Sequence, residues 1–223
     1  MGGGLIVLEG IEGVGKSTQL RHLLGHLAAR GNVALAVREP GGTPAGDEIR
    51  RLLLDPGSHL DERTEALLFM ASRAQLVSDV IRPALSRGDF VLADRFFLST
   101  YGYQVAGRGL PEEEVRRANG LATGGLIPDL TLLLDLPPGA ALERAARRSA
   151  HDRIERSGAE FYDRVRAAFV QFASPDWQQR HPEAGPIVLI DAGGDEASVA
   201  ARIAAEVGRR WPQTAATLAG SNN

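Results

Sequence analysis

The sequence contains no cysteine and only one lysine. Without cysteine, the chain can form no disulfide, no thiolate-ligated zinc site and no thiol nucleophile. Of the 25 basic residues, 24 are arginine and one is Lys16. Because the compact ammonium of lysine and the planar guanidinium of arginine bind phosphate with different geometry, this usage predicts that position 16 requires lysine itself.

An excess of positive charge is also lacking, since the formal net charge is -3. Proteins that coat DNA or bind membrane surfaces favour a strongly basic face, so we expect neither a nucleic-acid partner nor a membrane partner. The sequence has no apolar run of membrane-spanning length and no recognisable signal peptide, which predicts a cytoplasmic protein. Its 223 residues suit a single domain over 1–211, and the small, polar residues 212–223 are expected to form a disordered tail.

Five apolar, β-branched runs predict buried strands at 5–8, 33–37, 90–93, 130–136 and 187–190. Helical spacing is found between and after them, at 16–30, 44–54, 62–87, 111–122, 139–148, 158–172 and 196–210. Strands that are apolar on both faces are typical of a parallel sheet covered by helices on both sides. The alternation predicts an α/β fold with a five-stranded, parallel, doubly wound sheet in a three-layer α/β/α arrangement.

The segment Gly-Ile-Glu-Gly-Val-Gly-Lys-Ser at 10–17 fits the pattern G-x-x-x-x-G-K-[ST] and lies between the first predicted strand and the first helix. This pattern is the P-loop, in which glycines let backbone N–H groups point at phosphate oxygens and a helix N-terminus adds positive charge. The predicted ATP-binding residues are Gly10, Ile11, Glu12, Gly13, Val14, Gly15, Lys16, Ser17 and Thr18. Lys16 is predicted to bridge the β and γ phosphates.

Magnesium is the expected cofactor, because P-loop proteins hold it with the loop's Ser or Thr hydroxyl and a carboxylate at a strand end. Ser17 supplies the hydroxyl. Asp94 directly follows the third predicted strand and Asp135 lies near the end of the fourth, so either carboxylate fits this role, and Asp94 is preferred.

Several classes of P-loop protein can be separated by sequence. A GTPase needs a guanine-reading N-K-x-D segment, and the only lysine already belongs to the P-loop. An ATPase that acts as a conformational switch remains an alternative. Arginines and aromatic residues far from the P-loop favour a second anionic ligand, and hence phosphoryl transfer to another small molecule.

Six short segments together resemble the thymidylate kinase family, whose members make dTDP from dTMP and ATP. They are Glu-Pro-Gly-Gly-Thr at 39–43, Leu-Phe-Met-Ala-Ser-Arg at 68–73, Asp-Arg-Phe at 94–96, Ser-Thr-Tyr-Gly-Tyr-Gln at 99–104, Pro-Asp-Leu at 128–130 and Asp-Arg-Ile-Glu at 152–155. The likeness extends over nearly the whole chain, to about Arg210. It implies a homodimer that phosphorylates dTMP with ATP and magnesium for dTTP synthesis.

The resemblance also implies an acceptor site. Arg73 and Arg95 would clamp the acceptor's phosphate, and Phe69 would stack on thymine. Tyr103 would exclude a ribose 2′-hydroxyl. The remaining members of this predicted site are Glu39, Ser99, Thr100 and Gln104, while Glu12 would reach the sugar hydroxyl or a metal-bound water. From composition alone, Phe69 lies in an apolar helical stretch where core packing is the commoner outcome.

Residues 144–156 are rich in arginine and poor in large apolar side chains, a pattern typical of an exposed, mobile flap. Position 13 is glycine, whereas one branch of the family has arginine there. The resemblance to the bacterial branch therefore implies that Arg147, Arg148 and Arg153 form a lid that neutralises the transferring phosphoryl group, beside the catalytic Lys16 and Arg95.

The nearest alternative enzyme is a deoxynucleoside kinase, which phosphorylates an uncharged 5′-hydroxyl and needs a carboxylate base, for which Glu39 is a candidate. The pair Arg73 and Arg95 favours a monophosphate acceptor instead. In that case the acceptor oxygen is already ionised, and positioning and charge neutralisation suffice for direct in-line transfer.

Overall fold

A computed structural model describes residues 2–136, 153–154 and 158–215 of the chain. The predicted helix at 139–148 lies outside these residues, as do Arg147 and Arg148. Of the predicted lid at 144–156, only Arg153 and Ile154 are described.

The predicted α/β fold is confirmed. The described strands are β1 (Leu5–Glu9), β2 (Ala34–Arg38), β3 (Phe90–Asp94), β4 (Leu130–Asp135) and β5 (Ile187–Asp191). They form one parallel sheet in the order β2-β3-β1-β4-β5. The described α-helices are α1 (Lys16–Ala28), α2 (Pro44–Leu54), α3 (Glu62–Leu76), α4 (Arg82–Ser86), α5 (Phe97–Thr100), α6 (Glu112–Thr123), α7 (Ala159–Phe172), α8 (Pro175–Arg180) and α9 (Glu196–Arg210).

The sheet is apolar on both faces because successive side chains of each strand point to opposite sides. In β1, Leu5 and Val7 join a buried cluster that includes residues of α3 and α7. Ile6 and Leu8 join a second cluster that includes residues of α1 and α9. Helices therefore cover both faces, which is the three-layer arrangement expected from the sequence.

The sheet topology places the functional loops together. All five described strands are parallel, so their carboxyl ends lie along one edge. β1 is central, and the chain leaves it for β2 on one side before returning to β4 on the other. Ligands of open α/β sheets bind at this kind of reversal, outside the carboxyl ends of the strands. The loops after β1, β2 and β3 meet there.

Three local features differ from the sequence-based expectation. The predicted helix at 62–87 is interrupted by a π-helical turn at Val77–Ile81, and a π-helix at Tyr101–Gly107 follows α5. The prediction of a disordered tail is wrong for residues 212–215. Pro212–Thr214 forms a 3₁₀ turn, because Thr214 is fully buried and its carbonyl oxygen lies 2.8 Å from Nε2 of His26.

Across the described residues, we find no helix with both the length and the apolar character needed to cross a membrane.

Candidate active site

The P-loop adopts the expected strand-to-helix geometry between β1 and α1. Gly13 and Gly15 have φ values of 82° and 97°, in the region that favours glycine. A Cβ on Gly10 would lie 2.5 Å from the carbonyl oxygen of Leu134, so this position also requires the smallest residue. The loop therefore lies tightly against the end of β4, with its backbone curled above the N-terminus of α1.

Lys16 is held inside this loop. Its Nζ donates hydrogen bonds to the carbonyl oxygens of Gly10 and Ile11, both at 2.9 Å, and the residue is only 7% exposed. Within the described part of the chain, no carboxylate forms a salt bridge with it. Burial, followed by repulsion from Arg95, lowers the pKa of Lys16 to about 8. An anionic ligand at this point would stabilise the charged ammonium.

Ser17 and Asp94 lie at the mouth of the P-loop. Oγ of Ser17 donates to Oδ2 of Asp94 at 2.8 Å, which brings together the hydroxyl and the preferred carboxylate of the predicted magnesium site. Asp135 instead lines a separate small cavity with Ile11 and Arg166. The position of Asp94 beside Ser17 therefore favours it over Asp135 as the carboxylate of the predicted magnesium site.

One cavity of about 280 Å³ joins the P-loop to the second group of predicted residues. The sequence-predicted members of its lining are Glu12, Gly13, Gly15, Lys16, Ser17, Glu39, Phe69, Arg73, Asp94, Arg95, Ser99, Thr100, Tyr103 and Gln104. Four P-loop residues predicted from the motif are absent from the lining: Gly10, Ile11, Val14 and Thr18. Val14 packs in the core beneath the loop.

Arg95 bridges the two ends of the cavity. Its Nη1 donates to the carbonyl oxygen of Gly10 at 3.2 Å and to Oγ of Ser99 at 3.1 Å. Nη2 lies 3.6 Å from Oε2 of Glu12, and the guanidinium lies 5.1 Å from the centroid of the Tyr103 ring. Arg95 also has a φ of 72°, a conformation that is rare for a residue with a side chain and is often found at functional sites.

Arg73 differs from Arg95 because its donors are already used. Nε and Nη2 bind Oε2 of Glu39 at 2.8 and 2.5 Å, Nη1 binds Thr100 and Asn119, and Nη2 also binds the carbonyl oxygen of Phe96. All five N–H groups thus have protein acceptors, and the residue is 2% exposed. This arrangement does not favour the prediction that Arg73 binds the acceptor's phosphate, since such a contact requires one of these hydrogen bonds to break.

Glu39 completes this buried pair. Burial raises its pKa, while the charge of Arg73 opposes that rise. Its Oε1 is buried and has no hydrogen-bond partner among the described residues, although Glu39 lines the cavity. Glu39 therefore offers one unused acceptor beside the space where a ligand would lie.

Phe69, Tyr103 and Gln104 form the aromatic and amide wall of the cavity. Phe69 is half-buried and belongs to none of the buried apolar clusters of the described residues. Its ring can therefore contact a ligand in the cavity. Tyr103 and Gln104 come from the π-helix, which packs closely on α7. A Cβ on Gly107 would lie 2.5 Å from Cε2 of Phe161. Extra residues in helical turns often mark functional positions.

Sequence reasoning missed three charged residues at the site. Arg38 and Arg50 line the same cavity, and Nη1 of Arg50 donates to the carbonyl oxygen of Pro40 at 2.9 Å. Glu9 is fully buried at the end of β1 and accepts hydrogen bonds from Ser99 and from the backbone N–H of Phe96. A glutamate that ends an apolar strand next to the P-loop was the available signal for Glu9.

Arg153 does not line the cavity. Its Nη2 lies 2.7 Å from Oε2 of Glu65, its Nε donates to the carbonyl oxygen of Leu53 at 2.8 Å, and its backbone N–H donates to Leu54. In this arrangement Arg153 anchors its segment to α2 and α3, so the prediction that it neutralises the transferring group is not supported by its contacts. The predictions for Arg147 and Arg148 lie outside the described residues.

Comparisons with known proteins identify the family to which the chain belongs. The family model described as thymidylate kinase matches residues 8–183. A thymidylate kinase of Deinococcus radiodurans is 46% identical over 205 residues, covering 92% of this chain and 96% of its relative. One of Desulforudis audaxviator is 51% identical over 180 residues, covering 79% and 80%. A crystal structure of thymidylate kinase from Ehrlichia chaffeensis aligns with a TM-score of 0.71 at 28% identity, covering 93% and 99%.

The P-loop with Lys16 lies at one end of the cavity, and arginine and aromatic side chains line the other end. This arrangement defines the class of P-loop phosphotransferases. The chain belongs to the thymidylate kinase family.

The buried ammonium of Lys16 makes stability depend on pH. The pKa of Lys16 falls from 10.5 in the unfolded chain to about 8 in the folded protein. The unfolded state therefore binds more protons between these values, and stability rises with pH across that window. The quantity to follow is the free energy of unfolding of the wild type minus that of Lys16→Met. We expect this difference to increase by about 3 kcal/mol between roughly pH 7 and pH 10.5. Urea titrations of both proteins measure this difference, and a flat difference would contradict the burial of a charged Lys16.

Proposed function

We propose that the chain transfers the γ-phosphoryl group of ATP to the phosphate of dTMP, giving dTDP for dTTP synthesis and DNA replication. The observation that carries this proposal is the single cavity shared by Lys16, Arg95 and Phe69. It offers a donor end at the P-loop and an acceptor end between α3 and the π-helix. Membership of the thymidylate kinase family supports the same donor and acceptor.

At the donor end, the P-loop backbone and Lys16 bind the phosphates of ATP. The motif and the helix N-terminus favour this placement, and the buried Lys16 ammonium, whose described hydrogen bonds go to backbone carbonyl oxygens, supports it. Ser17 and Asp94 present two hard oxygen donors, which suit Mg²⁺. Among the described residues no cluster of three metal-binding side chains occurs, so phosphate oxygens and water would complete the coordination. Bound magnesium would neutralise developing charge on the phosphates.

At the acceptor end, Phe69 stacks on thymine and Tyr103 crowds the 2′ position of the sugar. Arg95 binds the acceptor phosphate, because it retains donor capacity and lies between Ser99 and the P-loop. Arg73 acts indirectly by holding Glu39 and Thr100 in place. Ser99, Thr100 and Gln104 complete the hydrogen-bonding wall, and Arg38 and Arg50 add positive charge to the same cavity.

Transfer needs no strong base, because the acceptor phosphate is already ionised. Lys16 and Arg95 hold the two phosphates in line and neutralise charge that spreads over the transferring group. Glu12 lies 3.6 Å from Arg95, where it can orient that guanidinium and reach the acceptor's sugar hydroxyl or a metal-bound water. Arg147 and Arg148 remain proposed transition-state contacts from the arginine-rich segment.

The proposal also includes the setting of the enzyme. We place it in the cytoplasm as a homodimer that uses small-molecule nucleotides and magnesium. The support for the homodimer is the family likeness, and the support for the compartment is the role in nucleotide synthesis.

The first expected outcome concerns the acceptor. Purified protein with ATP and magnesium should form ADP with dTMP and only background ADP with thymidine, because Arg95 binds a phosphate that thymidine lacks. A coupled ADP-release assay over a panel of nucleosides and nucleoside monophosphates measures this. Preference for thymidine would support the deoxynucleoside kinase alternative. Equal ADP release without any acceptor would support an ATPase switch.

The second expected outcome concerns the metal. Asp94→Asn should lower kcat by about 100-fold or more and raise the magnesium concentration needed for half-maximal activity, since it removes a charged ligand. Asp135→Asn is the matched control at the end of the neighbouring strand and should stay within a few-fold of the wild type. Thermal melts check that both fold. The opposite pattern would assign the metal to Asp135.

A further inference from the structure

Glu65 lies at the centre of a buried polar cluster beside the acceptor end of the cavity. It is 1% exposed, yet both carboxylate oxygens are used. Oε1 accepts from Nε2 of Gln104 at 3.0 Å and from Nε of Arg108 at 3.2 Å. Oε2 accepts from Arg108 at 3.1 Å and from Arg153 at 2.7 Å. The two guanidinium groups and Gln104 hold the pKa of Glu65 below its usual value against the effect of burial, so the side chain is ionised.

An ionised carboxylate accepts hydrogen bonds and cannot donate one. The atom of the Gln104 amide that faces Glu65 must therefore be the nitrogen. The amide oxygen is left for the other side, and among the described residues nothing donates to it. Gln104 lines the cavity, so its side chain can offer a ligand an acceptor there.

The position of Gln104 relative to Phe69 suggests which part of the ligand meets this oxygen. Glu65 and Phe69 are four residues apart on α3, so they lie on the same side of the helix, one turn from each other. An amide bound to Glu65 is therefore next to the aromatic face on which the base is proposed to stack. The edge of the base, rather than the distant phosphate, is the part within reach.

We infer that Glu65 is a positioning residue for base selection, which fixes the orientation of the Gln104 amide so that its oxygen accepts from an N–H group of the base. Thymine and uracil carry such a donor at N3. Cytosine carries a lone pair there, which would oppose the amide oxygen. A pocket built for one hydrogen-bonding group rejects an analogue that lacks it much more strongly than it rejects the loss of a methyl group.

This inference rests on the proposed function, and the wild-type enzyme tests the two separately. Turnover of dTMP tests the function itself. If dTMP is turned over, kcat/KM for dUMP should be about tenfold lower than kcat/KM for dTMP, because only a methyl group is lost. The value of kcat/KM for dCMP should be about 1,000-fold lower or more. Equal use of dUMP and dCMP would overturn the inference and leave the dTMP kinase proposal intact.

A variant series tests the role of Glu65 directly. Glu65→Gln keeps the shape but provides a donor as well as an acceptor, so the Gln104 amide can turn either way. We expect the dTMP-to-dCMP ratio of kcat/KM to fall at least about tenfold, mainly through KM. Glu62→Gln, on the exposed first turn of the same helix, is the matched control and should keep the wild-type ratio.

Arg153→Ala separates amide orientation from general loosening of the cluster. It removes one partner of Glu65 but leaves the bond between Glu65 and Gln104, so the selectivity ratio should stay within about twofold of the wild type while the melting temperature falls. A ratio that collapses equally in Arg153→Ala and Glu65→Gln would overturn the inference. So would a folded Glu65→Gln variant that keeps the wild-type ratio. If Glu65→Gln fails to fold, equal use of dUMP and dCMP by the wild-type enzyme would still overturn the inference.

Discussion

The arrangement of the site depends on one constraint, which is that Lys16 is a nearly buried cation held by carbonyl oxygens rather than by a carboxylate. Two neutral acceptors stabilise an ammonium less than an ion pair does, so part of its positive charge remains unbalanced in the free protein. The fold supports this position with three special glycines and with a loop packed against β4. The loop is thus suited to an anion, and in the proposed function a bound phosphate would supply the missing charge. Stability is reduced at the place where the proposed function requires this charge.

Three buried glutamates hold the opposite wall of the cavity in order. Glu9 binds Ser99 and the backbone at the start of α5, Glu39 binds Arg73, and Glu65 binds Gln104. Each carboxylate comes from a different element and orients a side chain that lines the cavity. The same principle separates the two arginines, because Glu39 and its neighbours occupy all donors of Arg73 whereas Arg95 retains capacity for a ligand. Buried negative charge thus orients the groups that are proposed to recognise the acceptor, and Arg95, which retains donor capacity, is the proposed contact for its phosphate.

The sequence predicted the elements that depend on local patterns. Apolar runs located all five described strands, and the spacing of Gly10, Gly15, Lys16 and Ser17 located the P-loop, because glycine conformation and strand burial leave direct compositional signals. The π-helix at Tyr101–Gly107 was missed because an extra residue in a helical turn leaves no such signal in the sequence. This π-helix packs against α7, a contact that the local sequence does not reveal. The roles of Arg73 and Arg153 could not be read either. The sequence does not distinguish an arginine whose donors are all occupied from an arginine that faces a ligand. The difference depends on acceptors that come from distant parts of the chain.

The most direct test of the unbalanced charge uses the fact that Lys16 is the only lysine in the chain. Labelling lysine with ¹³C at Cε gives a single side-chain signal, and its shift can be followed by NMR as a function of pH. The account predicts a pKa of about 8 for the free protein. With a non-hydrolysable ATP analogue and magnesium bound, the negative charge of the phosphates should raise the pKa of Lys16 clearly above that value. The same titration midpoint with and without the nucleotide would contradict the account.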